Sequence, residues 1–243
     1  MARDPALLEA VRDRFNAVAS GDSGTRVAPC CGVALAGEHP PLGADEGVRR
    51  AAALAPGAGT AAAAVGLTEG QSVVDLGCGA GVEALIAGRL VGPRGRVWGI
   101  DIAEGMLRLA RRHAVLAEHA NVAFVHCRVE EMPIATATID AAISNCVLSL
   151  CPDPGSALEE VARVLKPGGS LLLVEPLAAA AGARSPDAYA PDWTTCIPGA
   201  LTAEQLLDAL RGAGFEDVQI ERRADAHGHF AAAALVRARR ADA

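Results

Sequence analysis

A short apolar run near residue 75 ends in an acid and three alternating glycines: Val74-Asp75-Leu76-Gly77-Cys78-Gly79-Ala80-Gly81. A strand that leads into such glycines lets the backbone approach a nucleoside closely, because glycine has no side chain in the way. The next apolar run, Arg96 to Asp101, ends in a second acid, which is placed to accept hydrogen bonds from ribose hydroxyls. The two runs together predict a nucleoside pocket.

The spacing of the glycines distinguishes between nucleoside cofactors. A dinucleotide-binding loop has the pattern Gly-x-Gly-x-x-Gly, but here the third glycine comes one residue early and Val82 occupies its usual position. Asp75 would also repel a pyrophosphate, whereas it suits a ligand with positive amino and sulfonium groups. These residues weaken an NAD interpretation. The run instead resembles the Asp-x-Gly-x-Gly-x-Gly motif of class I methyltransferases that use S-adenosylmethionine (SAM).

Apolar runs alternate with helical patterns after residue 71, which is typical of βαβ units and a mainly parallel sheet. With the resemblance, this predicts an α/β fold of the Rossmann-like class I methyltransferase type, with a mainly parallel seven-stranded sheet and helices on both faces. The predicted strands are 72–76, 96–101, 122–126, 139–144, 170–174, 218–221 and 231–236. The predicted core helices are 81–90, 104–117, 156–165 and 203–213, and Lys166-Pro167-Gly168-Gly169 is predicted to separate the third of them from the strand that follows.

The residues before this pattern have a different character. Leu7 to Ala19 show helical apolar spacing, and short helices are predicted for 45–55 and 60–65. We predict an N-terminal helical cap or arm over residues 1–70 that contributes to the active site. The SAM-binding methyltransferase core is predicted over residues 71–243.

In a sheet of this kind the ligand lies outside the carboxyl ends of the strands, where the strand order reverses. The resemblance implies that the glycine loop admits the methionine part of SAM and that Asn145 lies under the transferable methyl. Arg128 stands where the family often has Asp, so adenine is expected to contact the Val129 amide and the Glu130 carboxylate. The full predicted set of cofactor-binding residues is Asp75, Gly77, Cys78, Gly79, Gly81, Asp101, Ile102, Met106, Val129, Glu130 and Asn145.

Charge and hydropathy limit the partners of the chain. The net charge is -7 and no long basic run occurs, which argues against nucleic acid as a partner. No apolar run approaches the roughly 20 residues that span a bilayer, so no membrane partner is expected either. We expect a cytoplasmic protein with a small-molecule substrate. Its seven cysteines are then expected to be reduced thiols, because a reducing cytosol opposes stable disulfides.

Cysteine-bearing runs narrow the family further. The run Ser144-Asn145-Cys146-Val147 puts a thiol at the expected methyl-transfer position, and a helical pattern at 11–15 leads to Cys30-Cys31. With Thr195-Cys196-Ile197-Pro198-Gly199-Ala200-Leu201, these runs resemble the arsenite SAM methyltransferases. That family carries a Ser-Asn-Cys-Val run and a later cysteine followed by Gly-Ala-Leu. The resemblance extends from about Leu7 to Val236.

This resemblance implies methylation of trivalent arsenic, a soft and thiophilic centre, for detoxification. It implies Cys30, Cys31, Cys146 and Cys196 as catalytic candidates, with Cys146, Cys196 and one arm cysteine, Cys31 or its neighbour, binding arsenic as substrate. The lone pair of the bound arsenic then attacks the methyl, so no general base is required. Transfer oxidises arsenic to the pentavalent state, so glutathione or thioredoxin is expected as the thiol reductant. A fourth family cysteine is missing from residues 54–60, which leaves the family's redox relay open here.

Other interpretations remain open. Cys78, Cys127 and Cys151 are interpreted as packing residues, with Cys151 also a possible spare ligand near Cys146. Zinc is disfavoured because no Cys-x-x-Cys pair occurs in the chain. The alternative functions are methylation of a carbon, oxygen or nitrogen centre of a small metabolite, and binding of the cofactor or metalloid without turnover.

Overall fold

The structure of the chain is a computed structural model that describes residues 5–21, 45–54, 61–178, 199–223 and 232–242. Its centre is one seven-stranded sheet. The strands are β1 Ser72–Leu76, β2 Arg96–Asp101, β3 Val122–His126, β4 Ile139–Asn145, β5 Leu165–Leu177, β6 Phe215–Arg223 and β7 Ala232–Arg240. The helices are α1 Pro5–Ser20, α2 Glu46–Ala52, α3 Ala61–Ala64, α4 Val82–Val91, α5 Glu104–Leu116, α6 Pro154–Val164 and α7 Ala203–Gly212.

The strand order is β3-β2-β1-β4-β5-β7-β6. β1 pairs in parallel with both β2 and β4, so the order reverses beside β1. β7 runs antiparallel to its neighbours β5 and β6. The carboxyl ends of β1 to β5 therefore meet at one edge of the sheet, which is where a ligand binds in such folds. The predicted fold class is confirmed.

Helices cover both faces because the central strands are apolar on both sides. On one face Leu158 of α6 and Leu206 of α7 pack in a buried cluster with strand residues such as Leu173. On the other face Leu85 of α4 and Val48 of α2 belong to a second cluster. Within the described residues, no helix is long and apolar enough to cross a membrane.

Local capping explains where the helices behind the sheet begin. The Asp153 side chain accepts hydrogen bonds from the backbone of Gly155 and Ser156 at the start of α6. Thr202 and Gln205 form a reciprocal capping box at the start of α7. Such caps satisfy amide groups that have no partner in the first helical turn.

The run Lys166-Pro167-Gly168-Gly169 differs from its predicted role as a stop before the strand. α6 ends at Val164 and β5 begins at once at Leu165. Opposite β5, the pairing advances from Ile139 only to Ala141 while β5 advances from Leu165 to Ser170. The run is therefore a bulge inside the strand, which Gly168 permits by adopting a φ of 70°.

The N-terminal helices pack on α5 through glycines. The Gly105 amide donates to Asn16 Oδ1 of α1 at 2.7 Å. A Cβ at Gly47 of α2 would lie 2.1 Å from the His113 carbonyl oxygen, so only glycine allows this approach. α1 and α2 are thereby attached to the core, in agreement with a cap. The proposed boundary between residues 70 and 71 stays a prediction.

Candidate active site

One cavity opens at the carboxyl edge of the sheet, and most of the predicted cofactor residues line it. Gly81 is the one predicted cofactor residue that does not. Cys146 and residues of α1 line the same cavity. The lining residues include Leu8, Val11, Phe15, Asp75, Gly77, Cys78, Gly79, Asp101, Ile102, Met106, Val129, Glu130, Asn145 and Cys146.

The glycine loop between β1 and α4 requires glycine for two different reasons. Gly77, Gly79 and Gly81 have φ values of 60°, 51° and 94°, a region that residues with side chains rarely adopt. A Cβ at Gly77 would lie 2.3 Å from Val147 Cγ2, whereas a Cβ at Gly79 would meet no heavy atom within 4 Å. A Cβ at Gly81 would lie 3.1 Å from the Phe124 ring. Gly81 therefore serves helix packing, and the open space at Gly79 suits a ligand.

Asp101 fixes the glycine loop from the end of β2. Its Oδ2 accepts from the Gly79 amide at 2.9 Å, and its Oδ1 accepts from the Ala103 amide at 2.8 Å. Burial raises the pKa of Asp101, and these backbone hydrogen bonds oppose the rise. Each carboxylate oxygen has two lone pairs, so both keep the capacity to accept a ribose hydroxyl.

Asp75 is a buried acid, and one of its two carboxylate oxygens lacks a hydrogen-bond partner within the described residues. It is 1% exposed, and the oxygen without a partner among the residues that the structure describes is Oδ2. Burial, followed by the negative charge of Glu83, raises the pKa of Asp75 well above its usual value. Glu83 is itself buried and accepts from the Ala61 and Ala62 amides at 3.2 and 2.9 Å. A cationic group beside Asp75 would supply the missing partner, which fits the positive charge of SAM.

The raised pKa of Asp75 predicts pH-dependent cofactor affinity. A cation binds the ionised carboxylate preferentially, so binding lowers the Asp75 pKa and releases a proton. Affinity is then highest above the ligand-free pKa and falls with decreasing pH below it, by up to about tenfold per unit. Calorimetry in buffers of different ionisation enthalpy measures the released proton. Asp75→Asn should bind SAM more weakly and with a flatter pH dependence; identical pH profiles for both proteins would refute this role.

Arg128 and Glu130 form an unusual pair in the loop after β3. Arg128 Nη2 lies 3.5 Å from Glu130 Oε1, close enough for an ion pair but without hydrogen-bond geometry. Both atoms are buried and have no hydrogen-bond partner in the described structure. Glu130 Oε1 is therefore available to accept a hydrogen bond from a ligand in the cavity. Adenine contact by Glu130 and the Val129 amide stays a prediction that this arrangement supports.

Cys146 occupies a constrained position directly after β4. Its φ is 60°, which is unusual for a residue with a side chain, and its amide donates to the Val174 carbonyl at 2.8 Å. A 3-10 turn, Leu148–Leu150, follows at once. The backbone thus places Cys146 beside Asn145 on the cavity wall. Cys146 is disulfide-bonded in this structure, so the expectation that all seven cysteines are reduced thiols is wrong for this residue.

The other described cysteines have surroundings that favour packing. Burial raises the pKa of Cys78 well above its usual value and that of Cys127 to about 11. Both thiols therefore stay protonated at neutral pH, which disfavours metal or metalloid binding. Cys151 lines the cavity, but it packs in the apolar cluster of the α6 face, whereas Cys146 belongs to the cluster of the opposite face.

Cys30, Cys31 and Cys196 lie outside the described residues. The predicted set of three thiolates is therefore not tested by the structure. Across the described ranges, no group of three or more His, Cys, Asp or Glu side chains could hold a metal ion. The predicted sites at these cysteines remain predictions.

Sequence reasoning missed several residues that shape the site. Leu8, Val11 and Phe15 of α1 line the cavity, and the apolar stripe of this helix was the signal that could have placed them there. The buried carboxylates of Glu83 and Glu175 were missed as well. Charged residues are rarely fully buried, and no local pattern marks the exceptions.

Comparison with known proteins agrees with this fold. A methyltransferase-domain family model matches residues 67–214. The chain is 32% identical over 233 residues to an arsenite methyltransferase of Halobacterium salinarum, an alignment covering 90% of this chain and 60% of that protein. It is 30% identical over 176 residues to a demethylmenaquinone methyltransferase of Halalkalibacterium halodurans, covering 63% of this chain and 71% of that protein.

A solved structure shows the same relationship. The crystal structure of CrArsM, an arsenic (III) SAM methyltransferase from Chlamydomonas reinhardtii, superposes with a TM-score of 0.54 at 26% identity. The superposition covers 79% of this chain and 72% of that one. The fold and the family model define a methyltransferase domain. The chain belongs to the methyltransferase-domain family, and within it is a relative of the arsenite methyltransferases, although it spans only 60% of the archaeal relative's length.

Proposed function

We propose that this methyltransferase transfers a methyl group from SAM to trivalent arsenic, as arsenite or methylarsenite, held by cysteine thiolates. The observation that carries the proposal is the position of Cys146, which lines the same cavity as the glycine loop and Asp101. Once its disulfide is reduced, Cys146 supplies a soft sulfur ligand at the wall of this cavity. Arsenic is soft and thiophilic, so thiolates are the ligands that suit it.

Chain connectivity supports convergence of a second thiol on Cys146. A Cβ at Gly199 would lie 1.7 Å from the Ser149 carbonyl oxygen, so the backbone at Gly199 packs directly on the turn after Cys146. Cys196 is three residues before Gly199, and three residues span at most roughly 10–11 Å. The connection is therefore short enough for Cys196 to reach the turn. We propose Cys146, Cys196 and one of Cys30 and Cys31 as the three arsenic ligands.

The residues of the chain then act mainly by aligning the methyl group of SAM with the bound arsenic. When bound, SAM supplies an electrophilic methyl group on a positive sulfur. Asp75 and Asp101 orient the cofactor, and three thiolates leave the arsenic lone pair as the nucleophile, so no side chain needs to remove a proton. Leu8, Val11 and Phe15 line the cavity with apolar side chains, which disfavour water there. Alignment and water exclusion of this kind lower a barrier by several kcal/mol.

The proposal also includes the reductant that regenerates trivalent arsenic and the cellular role of the enzyme. Each transfer leaves arsenic pentavalent, so two thiols must reduce it before another methyl is added. We propose glutathione or thioredoxin for this step, since the family's fourth cysteine is missing from residues 54–60. A cytoplasmic enzyme that detoxifies arsenic is the corresponding physiological role.

One observation favours a second candidate function. The chain spans 71% of a demethylmenaquinone methyltransferase at 30% identity, a larger share than it spans of the archaeal arsenite methyltransferase. A small organic acceptor in the same cavity would use the cofactor residues in the same way. In that case Cys146 would contribute shape rather than arsenic binding.

Direct turnover distinguishes the candidates. The protein is incubated with arsenite, glutathione and SAM labelled in the methyl group, and arsenic species are separated by chromatography. The proposal predicts labelled methylarsenicals that require active protein. Absence of label, under conditions in which a known arsenite methyltransferase gives product, would contradict it. Arsenite binding without label would instead indicate a metalloid-binding protein.

A further inference from the structure

Glu175 is a buried carboxylate that touches the turn after Cys146 but not the cavity. It lies on β5, is 3% exposed, and does not line the cavity. One oxygen, Oε1, accepts from the Val147 amide at 2.8 Å and from the Leu148 amide at 3.0 Å. Both amides lie at the start of the 3-10 turn, where no backbone acceptor within the turn can satisfy them.

The same turn contacts each part of the site that transfer requires. The Cys146 amide donates to the carbonyl of Val174, the residue before Glu175. The Val147 side chain packs against Gly77 of the cofactor loop, and the Ser149 carbonyl packs against Gly199, close in sequence to Cys196. Cys146 itself holds a left-handed backbone conformation, which persists only when the surroundings enforce it.

We propose that Glu175 is a positioning residue that holds the Cys146 sulfur in line with the transferable methyl by anchoring the turn at Val147 and Leu148. The inference rests on the proposed function to the extent that Cys146 is the arsenic ligand. The Glu175 carboxylate itself takes no part in methyl transfer.

The burial of Glu175 allows a positioning role to be distinguished from a role in stability, because the two roles predict different effects of a neutral replacement on Tm. Burial raises the pKa of Glu175 to about 7, and the hydrogen bonds from the Val147 and Leu148 amides only partly oppose this. At pH 8 the ionised carboxylate is therefore unfavourable to the fold, and a neutral amide of the same shape should be tolerated or even stabilising.

The test compares Glu175→Gln with the wild-type enzyme at pH 8. The amide keeps one oxygen for Val147 and Leu148 but loses the charge that strengthens both hydrogen bonds. We expect kcat to fall roughly tenfold, the KM for SAM to stay within about twofold, and Tm to equal or exceed the wild-type value. Glu175→Asp should also lower kcat, because the carboxylate is shorter by one methylene. Wild-type kcat in Glu175→Gln, or a fall in kcat matched by loss of Tm, would overturn the proposal.

A matched control and a second readout keep the two proposals separable. Glu160 also accepts a backbone hydrogen bond, from the Met132 amide at 2.7 Å, and does not line the cavity, so Glu160→Gln should keep wild-type kcat. The rate at which iodoacetamide alkylates reduced Cys146 is measured by mass spectrometry without arsenic. We expect a change of at least about threefold in Glu175→Gln and none in Glu160→Gln. An unchanged alkylation rate in both variants overturns the positioning role, whereas wild-type protein that fails to methylate arsenite contradicts only the proposed function.

Discussion

Replacing Cys146 by serine is expected to lower arsenite methylation by about a thousandfold or more, while the Kd for SAM changes by less than about threefold. The serine hydroxyl is a hard ligand that binds trivalent arsenic weakly, so the nucleophile is no longer held at the cavity wall. The predicted cofactor residues Asp75, Gly79 and Asp101 are unchanged in this variant, so we expect cofactor binding to be retained. Labelled-methyl turnover and calorimetric titration with SAM measure the two quantities.

Cys151→Ser is the matched control for this experiment. Cys151 lines the same cavity and follows the same turn, but it packs in the apolar cluster of the opposite face of the sheet. Its replacement should leave methylation within about threefold of the wild-type rate. If Cys146→Ser keeps wild-type turnover, or if both variants lose activity equally, Cys146 is not the metalloid ligand.

Replacing Gly79 by alanine is expected to weaken SAM binding by roughly tenfold to a hundredfold. No heavy atom of the described protein lies within 4 Å of a Cβ at Gly79, so the new methyl group enters open cavity space rather than the protein interior. The position holds a φ of 51°, and alanine there costs about 1–2 kcal/mol of stability. The loss of affinity therefore comes from the methyl group in the cavity and is separate from the loss of stability caused by backbone strain.

Gly70→Ala is the matched control, because it introduces similar backbone strain at a position that does not line the cavity. Gly70 has a φ of 86°, is exposed in a turn before β1, and likewise would place a Cβ more than 4 Å from other atoms. Both variants should lose similar stability in denaturant unfolding, but only Gly79→Ala should lose SAM affinity. Equal SAM affinity in the two variants would show that the glycine loop does not carry the cofactor as described.

The strands that position the site could be predicted closely from the sequence. β1, β2 and β3 have the predicted ends, because each is an apolar run bounded by residues that break the pattern. The same apolar runs also identified the two acids, Asp75 in the predicted cofactor loop and Asp101 at the end of β2. β6 and β7 extend beyond their predicted ends, because these strands gain their length from antiparallel pairing with each other, which no local pattern records.

What could not be predicted depends on contacts between distant segments. Glu175 and Val147 are 28 positions apart in the sequence, and Glu83 lies 21 to 22 positions from the amides it accepts from. Gly81 shows the same limit, since it matches a cofactor motif but serves packing against Phe124. The strand order and the bulge at residues 166–169 likewise follow from packing and register rather than from composition.

Protection from alkylation tests the shared arsenic site most directly. Reduced protein is mixed with one equivalent of arsenite, alkylated with iodoacetamide, digested, and analysed by mass spectrometry for each cysteine. We predict that Cys146 and Cys196 are protected together, with one arsenic atom bound per chain, while the alkylation of Cys127 does not change. Alkylation of Cys146 and Cys196 at the same rates with and without arsenite would contradict the arsenic site.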